Sequence, residues 1–464
     1  MKVFFLLLFS FFIFRGHTQD ILIKHINVID VNDKNIQYDR TILISKGKIQ
    51  KISTRSFKAK NALVINGKGK FLIPGLWDMH VHTVDSSYLK LFIINGVTGI
   101  RDMGGAATSA NNGCESIEHE KLMPWRKLIQ SGLLIGPRMF ISGPAVSNTG
   151  WATSINISTP ESARNAVRKL KGFGVDFIKV YEAISLETYL TLAKEAKASG
   201  LSIAGHVPIE TVSLIEASNA GHRSIEHIRD PLLICFTHDR EEVLNFFKED
   251  DWSETDIEWG LKQFEQSTKV IEAFKKNQTW LVPTLTVEWA KVAVRDPLYV
   301  NDERRKMLPE SVRKAFDNYV VKKLALSANE GKSDSLWWVT QKRLVKRMHK
   351  EGIPFMAGTD CACEGGIPGY SLHKELQLFV DAGLTPFEAI QTATINPIKF
   401  LKMTDSLGTV EKGKIADLVI LDRNPIEQIS ATQSIFAVIM NGQLISKERI
   451  NKIKEDLSAN KKIR

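Results

Sequence analysis

Cysteine is scarce in this chain, with four residues among 464, at positions 114, 235, 361 and 363. That is too few to staple a disulfide-built scaffold, so a hydrophobic core must hold the fold. Cys361 and Cys363 follow Asp360 closely, and Cys114 falls in a loop within reach of the same face, but free thiols are the expected state. There is no run of basic residues interleaved with aromatics, although Lys and Arg outnumber Asp and Glu by 62 to 52. The resulting +10 charge is scattered over helical stretches and reads as solvated faces, so no nucleic-acid partner is expected. Internal repeats and low-complexity tracts are lacking. After residue 14 no apolar run is long enough to cross a bilayer, so no stable membrane span is expected in the mature form.

What is present begins at the N-terminus. Lys2 precedes an apolar run over residues 3–14, and Arg15-Gly-His-Thr-Gln-Asp20 follows. The run is too short for a bilayer and matches the core of a secretory signal, with Gly16 and Thr18 as a fair small-x-small cleavage pair. Residues 1–19 are therefore expected to be a signal peptide, cut between Gly16 and Asp20, with export to a periplasmic or extracellular space. An uncleaved anchor is the alternative. The hydrophobic content of 43% and charged content of 25% are ordinary for a globular protein.

Strand patterns occupy both ends of the chain. Ile21-Leu-Ile-Lys-His-Ile-Asn-Val-Ile and Thr41-Ile-Leu-Ile-Ser are short apolar strands, and Lys46-Gly-Lys and Asn66-Gly-Lys-Gly are turns. Lys414-Ile-Ala-Asp-Leu-Val-Ile-Leu and Ile435-Phe-Ala-Val-Ile-Met-Asn-Gly repeat the pattern near the C-terminus. Segments 20–71 and 408–448 are expected to build one small β-sandwich domain, followed by a basic tail over 449–464. Between them the chain alternates strands with helices, as βα units do. Strands are predicted near 72–82, 99–103, 138–142, 177–180, 203–206, 224–227, 280–284 and 355–360. Helices are predicted over 162–171, 185–198, 211–220 and 256–276. Eight such units over 72–407 point to an α/β fold, a (β/α)8 TIM-like barrel whose reactive groups gather at the C-terminal strand ends. A long helical insert, 309–328 and 334–352, separates strands seven and eight and suits a lid or simple packing.

The predicted strand ends carry chemistry. Phe71-Leu-Ile-Pro-Gly-Leu-Trp-Asp-Met-His80-Val-His82 closes an apolar run with two imidazoles at i and i+2, which share one side of a strand. Convergent neutral imidazoles suit a borderline-soft divalent ion such as zinc. His206, His227 and Asp360 close strands five, six and eight, and Lys179 lies within strand four. A single strand-end histidine is more often a satisfied core residue, but six such groups in barrel order point to a metal site. Burial disfavours an ammonium and lowers the pKa of a lysine. A neutral Lys179 can add carbon dioxide, and the carbamate's two oxygens can bridge two cations. The alternative is a structural lysine paired with a carboxylate such as Glu182.

These residues resemble the amidohydrolase superfamily, in its prolidase-like and imidazolonepropionase-like branch. The likeness rests on Ile73-Pro-Gly-Leu-Trp-Asp-Met-His-Val-His, Gly96-Val-Thr-Gly-Ile-Arg-Asp-Met-Gly-Gly, Phe177-Ile-Lys-Val, Gly205-His, Ser224-Ile-Glu-His, Ala357-Gly-Thr-Asp and Gly408-Thr-Val-Glu-Lys-Gly-Lys-Ile-Ala-Asp. It implies two divalent metal ions, zinc first, with manganese or cobalt also fitting. His80, His82, Asp360 and carboxylated Lys179 would hold the more buried ion, and His206, His227 and the same carbamate the more exposed one. The activity implied is hydrolysis of a non-aromatic C–N bond in a dipeptide (Xaa-Pro included), N-acyl amino acid or cyclic amide. A metal-bridging hydroxide would attack, with Asp360 as the catalytic proton carrier.

Tyr181 is expected to donate to a substrate oxygen, whereas Arg101, Asp102, Glu226 and His373 either support the ligands from behind or contact substrate, with structural pairing the alternative for each. Several dipeptidases of the branch place a tyrosine or second histidine soon after the strand-five ligand, where this chain has His206-Val-Pro-Ile-Glu. The competing readings are a mononuclear deaminase or deacetylase, which would lack Lys179, and a non-catalytic scaffold protein. A homo-oligomer stays open.

Overall fold

The computed structural model describes residues 19–104, 119–150, 154–227, 268–326 and 328–459. The expected signal segment and Cys114, Cys235 and His238 lie outside the described residues, as does most of the helix expected over 256–276. Five strands open the chain: β1 (Ile21–Ile29), β2 (Ile36–Ser45), β3 (Lys48–Ser53), β4 (Leu63–Asn66) and β5 (Phe71–Pro74). Nine follow through the middle: β6 (Leu76–Val81), β7 (Val97–Asp102), β8 (Arg138–Ile141), β9 (Val146–Ser147), β10 (Ile155–Asn156), β11 (Ile178–Val180), β12 (Ile203–Gly205), β13 (His222–Glu226) and β14 (Trp280–Val282). Three close the chain: β15 (Leu418–Leu421), β16 (Ile435–Met440) and β17 (Gln443–Ile445).

Both chain ends enter one continuous eight-stranded mixed sheet in the order β17-β16-β15-β5-β1-β2-β3, with β4 beside β1. Alternating isoleucines explain its core, since Ile21, Ile23, Ile26, Ile42 and Ile44 meet Leu418, Ile420 and Ile439 in one buried cluster. Two hairpin tips interlock. Lys46-Gly47 and Asn441-Gly442 each place two successive residues at positive φ, the signature of a tight two-residue hairpin turn. A Cβ on Gly442 would lie 2.6 Å from the Cα of Gly47, so these tips touch only because both lack side chains.

The middle strands pair in parallel. β6, β7 and β8 form one sheet, and β10, β9, β11, β12, β13 and β14 form another. Segment 355–361 links them through parallel bridges, Phe355 to Leu281 on β14 and Cys361 to Val81 on β6. On the other side the Asp176 N–H donates to the carbonyl of Ile141 at 2.9 Å. This is a TIM-barrel-like arrangement of parallel strands in chain order. Its helices begin where local chemistry directs. Thr159 with Ser162, and Ser213 with Glu216, form reciprocal capping boxes, and left-handed Gly174 and Gly221 end the same helices.

Two boundaries differ from expectation. The first barrel strand begins at Leu76 rather than near 72, because Phe71–Pro74 pairs with β1 and β15 in the end sheet. The expected basic tail from 449 starts inside a helix, Lys447–Ser458, whose Ile450, Ile453 and Leu457 recur at helical spacing and are buried. The insert forms helices Glu310–Leu324 and Ala328–Lys350, the first packing Phe316, Tyr319 and Val320 against Val294.

The interlocked tips give a test. Gly442→Ala introduces both a left-handed alanine and a backbone clash, whereas Gly69→Ala, at φ +74 with nothing within 4 Å, introduces only the first. Thermal unfolding should show Gly442→Ala losing about 1–3 kcal/mol and Gly69→Ala about 1 kcal/mol. Equal losses would contradict the contact.

Candidate metal centre

The first ligand strand is anchored from beneath. Asp78 is buried and accepts the Thr359 N–H at 3.0 Å and the Thr359 hydroxyl at 2.7 Å, pinning β6 to segment 355–361. Burial pushes the Asp78 carboxyl up to about 7 even against these donors. One pleat further on, His80 is fully buried and its Nδ1 lies 2.9 Å from Glu226 Oε2. Glu226 in turn lies 2.7 Å from Arg101 Nη2 and accepts the Ser224 hydroxyl at 2.6 Å. Burial raises the Glu226 carboxyl, but Arg101 and His80 overcome that and hold it at about 2. An ionised carboxylate only accepts, so His80 Nδ1 carries the proton and Nε2 presents a lone pair.

That lone pair meets Asp360. His80 Nε2 lies 3.3 Å from Asp360 Oδ1, and His82 Nε2 lies 3.1 Å from the same oxygen. Although close, His80 Nε2 makes no hydrogen bond and is fully buried. Two electron-pair donors at that distance repel unless a cation lies between them. Donors each ~2 Å from one ion stand about 3–3.5 Å apart, so the spacing fits a shared metal. Despite burial, the Asp360 carboxyl lies well below its usual range in the company of these imidazoles.

The remaining groups close the ring. The His227 Nδ1 lies 2.8 Å from the Thr284 hydroxyl oxygen, whose own proton goes to the Pro283 carbonyl at 2.8 Å. His227 Nδ1–H is therefore the donor, and Nε2 carries the lone pair. Burial and the neighbouring His206 keep His227 neutral, well below its usual pKa. Its ring centroid lies 4.8 Å from His80 and 4.6 Å from His206. Lys179 is only 2% exposed. A Cβ on Gly205 would come within 2.9 Å of Lys179 Cδ and 2.3 Å of the Val180 carbonyl, so glycine before His206 leaves the lysine its channel. His227, Thr284 and Asp360 are all left-handed, at φ 64, 49 and 53. Such strain in non-glycine residues gathers where function needs it.

The structure brings together His80, His82, Lys179, His206, His227 and Asp360, with the Tyr181 ring tilted against His206 at a centroid distance of 4.3 Å. It decides between the alternatives for Arg101 and His373. Arg101 is buried, its guanidinium held between Phe177 and Phe400 and bonded to Met79, Ser224 and Glu226, so it positions His80 and faces no substrate. His373 is buried with Nε2 on the Asn95 carbonyl at 3.1 Å and Nδ1 on Thr432 at 3.0 Å; both nitrogens are engaged, and burial lowers it to about 4. Asp78 and Thr284 escaped sequence reasoning, although both adjoin motif residues. Cys363 is disulfide-bonded and Cys361 is a free buried thiol, so the free-thiol expectation is corrected at Cys363. A disulfide sulfur is no thiolate ligand, although Cys363 lies beside His82 and Asp360.

A TIM-barrel-like fold ending in this donor set places the protein among metal-dependent hydrolases that act on carbon–nitrogen bonds. The chain belongs to the amidohydrolase family, whose model matches residues 71–445. It is similar to the ochratoxinase of Aspergillus niger, 24% identical over 435 residues covering 79% of this chain and 73% of that protein. The imidazolonepropionase of Alkaliphilus oremlandii is 22% identical over 427 residues, covering 85% and 86%. Among solved structures, a bottromycin amidohydrolase superposes with a TM-score of 0.72 at 21% identity, covering 96% of this chain and 91% of that one.

The buried relay predicts two outcomes. Glu226→Gln should weaken metal affinity 10- to 100-fold by chelator competition, since a neutral amide no longer fixes the His80 tautomer. The sign of the acid response follows from a carboxyl held at about 2 against an ordinary 4.5. Its stabilisation is complete above pH 4.5 and is lost as pH falls toward 2, so unfolding titrations should show wild type losing stability in that window and Glu226→Gln a flatter profile.

Proposed function

We propose that the protein is a binuclear metal-dependent amidohydrolase with a closed (β/α)8 barrel, cutting a non-aromatic amide in a short peptide, N-acyl amino acid or cyclic amide. The observation that carries this reading is His80 Nε2, buried without a hydrogen bond and 3.3 Å from Asp360 Oδ1. His80, His82 and Asp360 would hold one ion, His206 and His227 the other, and a carbamate on Lys179 would serve both. Zinc suits this nitrogen-rich set. Bound there, divalent ions supply a water acidic enough to ionise at pH ~7 and a Lewis acid for the amide carbonyl.

The chain's own groups do the rest. Asp360, ionised and aimed into the site, takes the proton of the attacking water on a carboxylate oxygen and passes it to the leaving nitrogen. His80 donates its Nδ1–H to Glu226 and His227 its Nδ1–H to Thr284, which would leave an Nε2 lone pair on each for a metal ion. Tyr181, whose ring lies 4.3 Å from that of His206, would donate its hydroxyl to a substrate oxygen. The same reading takes residues 1–19 as an export signal, so the mature protein should begin between Gly16 and Asp20. It takes the eight-stranded end sheet as a separate small domain.

Metal analysis of the purified chain should find two divalent ions, and Lys179→Ala should lower that content. Stripping by chelator should abolish amide hydrolysis, and zinc with bicarbonate should restore it. Asp360→Asn should lower kcat by about 10²–10⁴-fold. Full activity in Asp360→Asn would remove the aspartate from the mechanism, and one ion per chain would favour a mononuclear deaminase or deacetylase.

A further inference from the structure

The helix Leu285–Ala293 follows β14 and begins without a side-chain cap of its own. Its N-cap residue, Thr284, is committed elsewhere. The Thr284 hydroxyl oxygen takes the His227 Nδ1–H at 2.8 Å, and its proton goes to the Pro283 carbonyl at 2.8 Å. Its backbone is left-handed at φ 49, not extended as a capping residue usually is. The cap comes instead from a helix far along the chain. Glu375, fully buried on Tyr370–Asp381, accepts the Leu285 N–H on Oε1 at 2.9 Å and the Thr286 N–H on Oε2 at 2.8 Å. Burial raises the Glu375 carboxyl to about 8, while the two N–H groups and the positive end of the helix favour its ionised form.

The turn gripped in this way reaches both halves of the metal centre. On one side Thr284 receives the His227 ring proton, and His227 N donates to the Val282 carbonyl at 2.9 Å. On the other, the Thr286 hydroxyl donates to the Thr359 carbonyl at 2.9 Å. That carbonyl shares a peptide unit with the Asp360 N–H, which donates to the His80 carbonyl at 2.7 Å. The peptide unit before Asp360 is therefore held at both of its polar ends, one of them through Thr286. Glu375 itself stands on a firm base. Leu372, Leu376 and Phe379 of its helix are fully buried, and His373 bonds Asn95 and Thr432.

We infer that Glu375 is a positioning residue for the metal centre, fixing through the turn 284–286 both the ring of His227 and the peptide unit that carries Asp360. The inference rests on the metal-dependent reading above and names a residue that reading does not use. An ordinary helix cap would stabilise its helix and leave the histidine alone. Here the residue that would cap holds the ligand, and the glutamate takes over the cap.

The test uses the full chain with Glu375→Gln, which keeps the shape but turns an amide NH2 toward one of the two N–H groups. Glu375→Asp, shorter by one methylene, serves if that variant does not fold. The control is Glu388→Gln, since Glu388 also caps a helix, through Thr385, and otherwise bonds His349. In the metal-free chain labelled with 15N-histidine, wild type should show His227 as the Nδ1–H tautomer, with Glu375→Gln giving a mixture and Glu388→Gln the wild-type spectrum. Chelator competition on the cobalt-loaded chain should show affinity at least tenfold lower in Glu375→Gln, with an altered visible spectrum, and no change in Glu388→Gln. A His227 spectrum or a cobalt affinity equal to wild type in Glu375→Gln would overturn the assignment, and so would equal losses in the control. Failure of the metal-dependent reading looks different: wild type itself would take up no cobalt, and the histidine spectrum alone would then decide for or against Glu375.

Discussion

The buried charge of Arg101 is the constraint on which the rest of the site depends. Its guanidinium reaches three strands, arising on β7, donating to the Met79 carbonyl on β6, and bonding Ser224 and Glu226 on β13. A lone charge in so dry a place costs about 3–5 kcal/mol, so Glu226 must ionise beside it. That ionised carboxylate can only accept, which compels His80 to protonate Nδ1 and present Nε2 to Asp360. One buried cation thus settles the tautomer of a histidine through a carboxylate, with Phe177 and Phe400 closing off water on either side.

Rigidity around that relay comes from two sources. β5 belongs to the end sheet and β6 to the barrel-like strands, with only Gly75 between them, so the strand bearing His80 is tethered to a sheet made from both chain ends. At the opposite ends of the strands, left-handed His227, Thr284 and Asp360 hold strained backbone in place. Asp360 N donates to the His80 carbonyl at 2.7 Å and His227 N to Val282 at 2.9 Å, and such over-determined contacts are what allow strain to persist. Donors held this way need little rearrangement to accept an ion.

Much of the fold was legible because local patterns have local causes. Seven of the eight expected middle strands appear as strands, and the eighth, 355–360, appears as bridges to β6 and β14. Short apolar runs mark β1 and β2, and Lys46-Gly-Lys marks the turn after β2. The boundary at 71–76 is hidden in the sequence because one apolar run serves two sheets, and pairing partners do not show in a run of apolar letters. The helix at Lys447–Ser458 resembles a basic tail because its many charges mask three buried residues at helical spacing.

Sequence by itself determined which side chains could reach the barrel mouth, since period-two strands and the rule of C-terminal strand ends place His80, His82, Lys179, His206, His227 and Asp360 without reference to distant partners. Only the tertiary structure decided what the other polar residues do. Arg101 and His373 resemble binding groups in the sequence, yet burial closes both against carbonyls, hydroxyls or a carboxylate from far along the chain. Asp78 shows the same limit from the other side, because its partner Thr359 lies 281 residues away. A titratable group's role depends on its solvent and its nearest opposite charge, and both are set by packing between segments remote in sequence.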